Sequence, residues 1–486
     1  MLKRDSKLYK FAAGLGFEPR YHAPEACVLP LDDPARYFYN NINFIDCQRC
    51  CAKIIIMRRK ILAFILKQLT RGIIGKYQPK IIAITGSTGK TSAKNAIYAV
   101  LSTFYSTRKS EENLNTEFGL PLAFIGGVNA KNSLLKWIKN IFKGLKLLII
   151  KDKNYPHFII VEMGADKPRD IQKLLKIAKP NVSVVTAIGS IPVHLENYQD
   201  IDELVFEKSQ IVRVLNSDDT AILNIDEENI KKMEKVTQAK ILFFGFNENA
   251  NLRISDFKLV TKIIERGFEL PLGISFNLNY QGEQSLVFLK NHLGIPSAYA
   301  ASIGAAVGLI FDIPLSEISK ALEKFHSEKG RMNLIEGIKN SLIVDDSYNA
   351  SPLAVKAALS TLKDIPALRK IVILGDMLEL GNYSQKAHEE IGKLASQIAD
   401  YLFLVGPRMV FAKEEALNNG FDKNKIFYFN NSSLVAKKLI PLITEHDLIL
   451  VKGSQAMRME KIIKDIMREP QKAKELLVRQ SKEWQE

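Results

Sequence analysis

At 486 residues the chain is too long for one ordinary hydrophobic core and divides into two or three domains. A composition that is 47% hydrophobic and 25% charged excludes a disordered or fibrous chain and describes a globular protein. The excess of 68 Lys and Arg over 53 Asp and Glu, a net charge of +15, favours acidic partners such as nucleotides, anionic lipid or nucleic acid without choosing among them.

Residues 1–52 are irregular, with Pro19, Pro24, Pro30 and Pro34 spaced through them. All four cysteines, Cys27, Cys47, Cys50 and Cys51, lie here. A disulfide-stapled secreted fold is not expected at this length, and the CxxC at 47–50 has no further ligands nearby to complete a zinc site. The basic N-terminus lacks the apolar stretch of a secretory signal, so a cytoplasmic protein is expected. The stretch GFEPRYHAPEACVLPLDDPAR resembles peptides that arise when a transfer-RNA gene is read as coding sequence, and 1–52 reads as an extension without function. Residues 53–80 read as a cationic amphipathic helix carrying Arg58, Arg59, Lys60, Lys67 and Arg71. Its longest uncharged run is too short to cross a bilayer. Two readings stay open for it: contact with anionic lipid at the inner face of the membrane, or packing on its own domain. The lysine-rich segment 132–154 repeats the ambiguity.

From residue 81 strand and helix patterns alternate: KIIAIT, the helical KTSAKNAIYAVLSTF, FIIVEM and VSVVTAI. This order predicts a parallel sheet covered by helices. Short alternating strands follow around 250–290, then an alanine-rich helix from about 297. After GRMN at 330–333 a second series begins, with strands SLIVDD, KIVILGDM, YLFLVG and DLILVKGS. The expected fold is α/β, a central P-loop ATPase domain with a parallel sheet at 81–328 and a Rossmann-like C-terminal α/β domain at 329–486.

Within this frame ITGSTGKTS, residues 84–92, joins an apolar strand to a helix through a glycine turn. Such a turn holds phosphate oxygens on backbone N–H groups, with a lysine to neutralise charge and a hydroxyl for Mg²⁺. Gly86, Ser87, Thr88, Gly89, Lys90, Thr91 and Ser92 are therefore the expected nucleotide loop, although Ile84 stands where the full GxxxxGK[ST] pattern has glycine.

The TG[ST]xGKT form of the loop resembles the Mur ligase family of ATP-dependent, peptide-bond-forming enzymes. NLNTEFGLP at 113–121, VEMGADKPRDI at 161–171, AIGSIPVHLE at 187–196, FEKSQI at 206–211, VDDSYNASPLAVKAAL at 344–359 and ILGDMLELG at 373–381 extend the resemblance in order from about 81 to 465. They are most similar to the branch that adds D-alanyl-D-alanine to UDP-N-acetylmuramoyl-tripeptide. The resemblance implies ATP and Mg²⁺ as cofactors and an acyl-phosphate intermediate. It implies metal contacts from Thr91, Glu162 and His194, and from Lys208 after its conversion to a carbamate by CO₂. It gives Arg331 a γ-phosphate role, Asp346 a nucleotide-positioning role, and Asn115, Tyr348, Asn349 and Ser351, again with Asp346, a place at the substrate. Catalysis would rest on Lys90, Lys208, His194 and Arg331, in a monomer needing no nucleic acid. Relatives carry HNxxNAxAA near the alanine-rich helix, where this chain reads NHLGIPSAYAA, putting Ser297 at the adenine position. The family's usual N-terminal UDP-binding domain has no counterpart in the first 80 residues. Three rivals stay open: a ligase of the same kind for another carboxylate acceptor, a basic P-loop ATPase that binds nucleic acid or membrane, and a binding protein that has lost catalysis.

Overall fold

The computed structural model describes residues 57, 59–111, 114–131, 133–192, 194–263, 269–481 and 484. The extension at 1–52, with its cysteines, lies outside the described residues. One compact unit runs Leu62–Glu486.

Its first sheet holds β1 (Lys80–Thr85), β2 (Thr107–Lys109), β3 (Phe158–Glu162), β4 (Val182–Val185), β5 (Thr220–Asn224), β6 (Lys240–Gly245), β7 (Leu252–Ile263), β8 (Glu269–Tyr280) and β9 (Glu283–Lys290). Their order is β2-β3-β1-β4-β5-β6-β7-β8-β9. Pairing is parallel through β6–β7 and antiparallel across β7, β8 and β9. Side chains of a strand alternate between faces, so a strand covered on both sides is apolar at every position. Ile82, Ile84, Phe158, Ile160, Val182 and Val184 enter one core, while Ile81, Ala83, Ile159, Val161 and Val185 enter the other. The Lys90–Phe104 and Ile295–Ile310 helices cover the first of these faces together. Their alanine content serves close approach: a Cβ on Gly304 would stand 2.9 Å from the Ala96 backbone.

The second sheet holds β10 (Asn333–Glu336), β11 (Leu342–Asp346), β12 (Arg369–Gly375), β13 (Tyr401–Val405), β14 (Ile426–Phe429) and β15 (Asp447–Lys452), in the order β10-β11-β15-β12-β13-β14. Only β10 is antiparallel to its neighbour. Leu342, Val344, Val372, Leu374, Leu402 and Leu404 face one core, and Ile343, Ile371, Ile373, Phe403 and Val405 the other.

The cationic helix ends at residue 77, and from Leu62 onward it packs on the first domain. Leu66 and Ile73 are fully buried in the core beneath β1 and β3, and Lys76 Nζ donates to the Leu147 and Leu148 carbonyls at 2.9 and 2.7 Å. The packed reading therefore describes residues 62–77. The lysine-rich segment forms the Leu134–Ile149 helix, capped by the Ser133 hydroxyl.

Candidate active site

In open α/β sheets a ligand crevice forms at the carboxyl ends of strands where their order reverses. In the first sheet β1 lies between β3 and β4, and all three aim their carboxyl ends at the loop after β1. The loop is built for close approach of backbone. Gly86 has φ of 146°, and a Cβ there would stand 2.0 Å from the Thr186 hydroxyl. Ser87 and Thr88 N–H groups donate to the Ala187 carbonyl at 2.7 and 3.3 Å, and Thr186 Oγ1 donates to the Thr88 carbonyl at 2.5 Å. Gly89, at φ of 81°, opens the Lys90–Phe104 helix without a side-chain cap. The first turn of that helix is thus left to an anion, with the helix dipole aligned toward it.

Two lysines converge on this loop. Lys90 Nζ donates to the Gly86 carbonyl at 2.7 Å, and Lys208 Nζ, from the Ile201–Arg213 helix, donates to the same oxygen at 3.3 Å. Burial pushes Lys90 below the usual ammonium range, opposed by Glu162 and reinforced by Arg331. Burial, with the Lys90 charge beside it, brings Lys208 down to about 7. The neighbouring Glu207 caps the Asp170–Leu175 helix, its carboxylate accepting from the Arg169 and Ile171 N–H groups.

Glu162 closes β3 with its carboxylate 2.7 Å from Lys94 Nζ, both side chains nearly out of solvent. Burial alone would push the Glu162 carboxyl up, but Lys94, Lys90 and Arg331 outweigh burial and hold it below its usual range. Lys94 was not anticipated from sequence, although it stands four residues after Lys90 and so on the same helix face. Asn115 lies behind this strand end, its amide 2.5 Å from where a Cβ on Gly164 would stand.

His194 has φ of 66° in the loop after β4. Its Nδ1 stands 2.9 Å from Glu379 Oε2, and its Nε2 stands 3.5 Å from Asp166 Oδ1. Glu379 belongs to the LGDMLELG stretch of the second domain, so this pair joins the two domains at the site. The His194 hydrogen bond holds the Glu379 carboxyl below its usual range. Arg331 makes a second junction: Nη2 donates to Thr91 Oγ1 at 3.3 Å, and the guanidinium lies 4.3 Å from the centre of the Tyr348 ring. Asn95 of the loop helix donates to Glu328 at 2.7 Å, tying the segment that leads into the second domain to the same helix.

In the second domain Asp346 ends β11 opposite Lys452 at the end of β15, with Lys452 Nζ 2.6 Å from Asp346 Oδ2 and 2.9 Å from the Asn349 carbonyl. The Asn349 side chain accepts from the Ala350 and Gln455 N–H groups. Ser351 caps the Pro352–Asp364 helix, its hydroxyl accepting from Ala354 N–H at 3.3 Å. Ser297 turns its hydroxyl to the Leu293 carbonyl, 3.0 Å away. His292 is a core residue, bonded to the Phe325 carbonyl and lying against that ring at a tilt of 35°. Of the expected site residues, the structure brings together Lys90, Thr91, Glu162, Lys208 and Arg331 around one loop, and His194 stands 3.5 Å from Asp166, whose charge acts on Lys90 and Lys208. It gives Ser351 and Ser297 local backbone partners.

Among the described residues no three His, Cys, Asp or Glu side chains form a metal-binding group. The donors present nevertheless suit Mg²⁺, which takes one or two carboxylates and keeps its waters and substrate phosphates. Glu162 and Thr91 supply hard oxygens beside the phosphate loop. His194, held at one ring nitrogen by a carboxylate, has the orientation common to metal-ligating histidines.

Family models of the Mur ligase middle domain and of the Mur ligase glutamate ligase domain match residues 84–283 and 330–455. The UDP-N-acetylmuramoyl-tripeptide–D-alanyl-D-alanine ligase of Bacillus subtilis is 26% identical over 408 residues, covering 83% of this chain and 79% of its own length. The ligase of the same name from Rickettsia prowazekii is 29% identical over 395 residues, covering 79% and 77%. The crystal structure of MurF from Acinetobacter baumannii superposes with a TM-score of 0.67 at 26% identity, covering 82% of this chain and 79% of the other. The chain belongs to the Mur ligase family and carries that family's middle and glutamate ligase domains.

Proposed function

We propose that this protein is an ATP-dependent peptide ligase that joins D-alanyl-D-alanine to UDP-N-acetylmuramoyl-tripeptide in peptidoglycan precursor synthesis. It would act in the cytoplasm as a monomer. The relatives of that name support the substrates, and the convergence of Lys90, Lys208, Glu162 and Arg331 on one phosphate loop supports the chemistry. The Lys90–Phe104 helix N-terminus and Lys90 would hold the β- and γ-phosphates, and Arg331 would meet the charge that develops as the γ-phosphoryl group leaves. A carboxylate oxygen of the tripeptide attacks the γ-phosphorus and ADP departs. The dipeptide amine, having lost a proton, then attacks the acyl carbon and inorganic phosphate leaves. Mg²⁺ held by Thr91 and Glu162, and by His194 with Lys208 carbamate, would supply charge neutralisation at the phosphates. An amine brought down to about 7 is substantially neutral near pH 7, the form that reacts with CO₂. Asp346, at the carboxyl end of β11, and Tyr348, against the Arg331 guanidinium, would place nucleotide and dipeptide.

The decisive experiment mixes the protein with ATP, Mg²⁺ and UDP-N-acetylmuramoyl-tripeptide, with and without D-alanyl-D-alanine, and follows phosphate release and product mass. Release that needs both substrates and yields the UDP-pentapeptide supports the reading. Phosphate release stimulated by nucleic acid and indifferent to peptide overturns it.

A further inference from the structure

The Leu134–Ile149 helix has three faces of different chemistry. At about 100° per residue, Leu134, Leu145, Ile138, Ile149, Phe142 and Leu135 fall in one arc of about 100°. All six are exposed, Leu135 and Ile149 to 79% and 80%. The next arc carries Lys136, Lys139, Lys143 and Lys146, and the helix holds no acidic residue. Asn140, Gly144 and Leu147 form the opposite, buried side. That side rests on the helix ending at residue 77: Leu69 lies 3.1 Å from where a Cβ on Gly144 would stand, and Leu148 lies 2.9 Å from the same point on Gly72. The domain therefore holds this apolar stripe outward instead of covering it. A contiguous exposed stripe of this kind marks an interaction surface.

We propose that this helix docks the protein on an anionic lipid surface, its apolar stripe sunk among the acyl chains and its lysine row at the headgroups. An apolar face bordered by cations, without acids, is the pattern of interfacial helices. The lysine row is complementary to anionic headgroups, whereas a second copy meeting the same face would set lysines against lysines. Among the described residues no helix is long and apolar enough to cross a membrane, which leaves an in-plane attachment. The inference does not depend on the ligase reading, since none of these side chains belongs to the site.

The test is cosedimentation of the full chain with vesicles of phosphatidylglycerol and phosphatidylcholine, against phosphatidylcholine alone. Binding should favour the anionic vesicles and weaken between about 0.1 and 0.5 M salt. The Leu135→Gln/Phe142→Gln variant should bind at least about tenfold more weakly, and Lys136→Gln/Lys139→Gln/Lys146→Gln should lose the preference for anionic vesicles. Both variants change exposed side chains, so circular dichroism and phosphate release in vesicle-free buffer should match the parent. Equal binding to both vesicle types, or parent-like binding by both variants, overturns the proposal. So does a dimer on gel filtration that Leu135→Gln/Phe142→Gln dissociates while vesicles bind neither protein.

Discussion

Two ammonium groups aimed at the Gly86 carbonyl oxygen make Lys208 the most informative single residue. An exposed lysine would stay charged near pH 10.5, but burial and Lys90 bring this one down to about 7. A cation with a lowered folded-state value costs stability wherever it is protonated in the fold. That cost is fully present below pH 7 and is relieved as pH rises from about 7 toward the unfolded value. Lys208→Met should therefore melt higher than the parent at pH 6, with the difference shrinking by pH 9, as measured by calorimetry. The same variant should lose phosphate release at least about a hundredfold, the scale of removing a charged group from a transition-state site. Parent activity should rise with pH through about 7, fall in CO₂-depleted buffer and return with bicarbonate. Turnover by Lys208→Met at the parent rate would remove the carbamate from the reaction.

Local elements explain why some residues could be assigned from sequence and others not. The phosphate loop was legible because its strand, glycines and helix follow one another, and the predicted KTSAKNAIYAVLSTF is the helix Lys90–Phe104. The strands of both sheets were legible as short continuous apolar runs, such as the LIV of SLIVDD, which suit a strand buried on both faces. Ser351 differs. In sequence it stood beside Tyr348 and Asn349 as a pocket residue, but Ser351 precedes Pro352 and caps the helix that starts there. A capping serine and a substrate serine can be the same residue, and the two roles separate by magnitude. Ser351→Ala should cost about 1 kcal/mol of stability in urea unfolding if capping is its main task. Under that role kcat/KM for the dipeptide should stay within about threefold of the parent, less than about 1 kcal/mol. A hundredfold rise in dipeptide KM at unchanged ATP KM would make it a substrate contact.

Across the whole molecule the site joins residues that lie far apart in the chain, and those pairings were the least legible part of the sequence. Lys94, Asp166, Glu328 and Glu379 acquire meaning through partners 68, 28, 233 and 185 residues away, Glu162, His194, Asn95 and His194 again. No local periodicity encodes such pairs. Arg331 shows what the junction does. It lies in the segment joining the domains, is braced against Tyr348, and reaches Thr91 in the phosphate loop. A cation that arrives with the second domain can meet transition-state charge only in the closed arrangement, which also excludes water from a hydrolysable acyl phosphate. Arg331→Ala should accordingly lower kcat by about 10²–10³ while ATP binding, measured by calorimetry, weakens less than about tenfold. Arg331→Lys should recover only part of the loss, because an ammonium keeps the charge but neither the planar fork nor the stack on Tyr348. A variant that loses ATP affinity a hundredfold at unchanged kcat would instead make Arg331 a ground-state anchor, and closure would then have to be driven by the Glu379 to His194 contact.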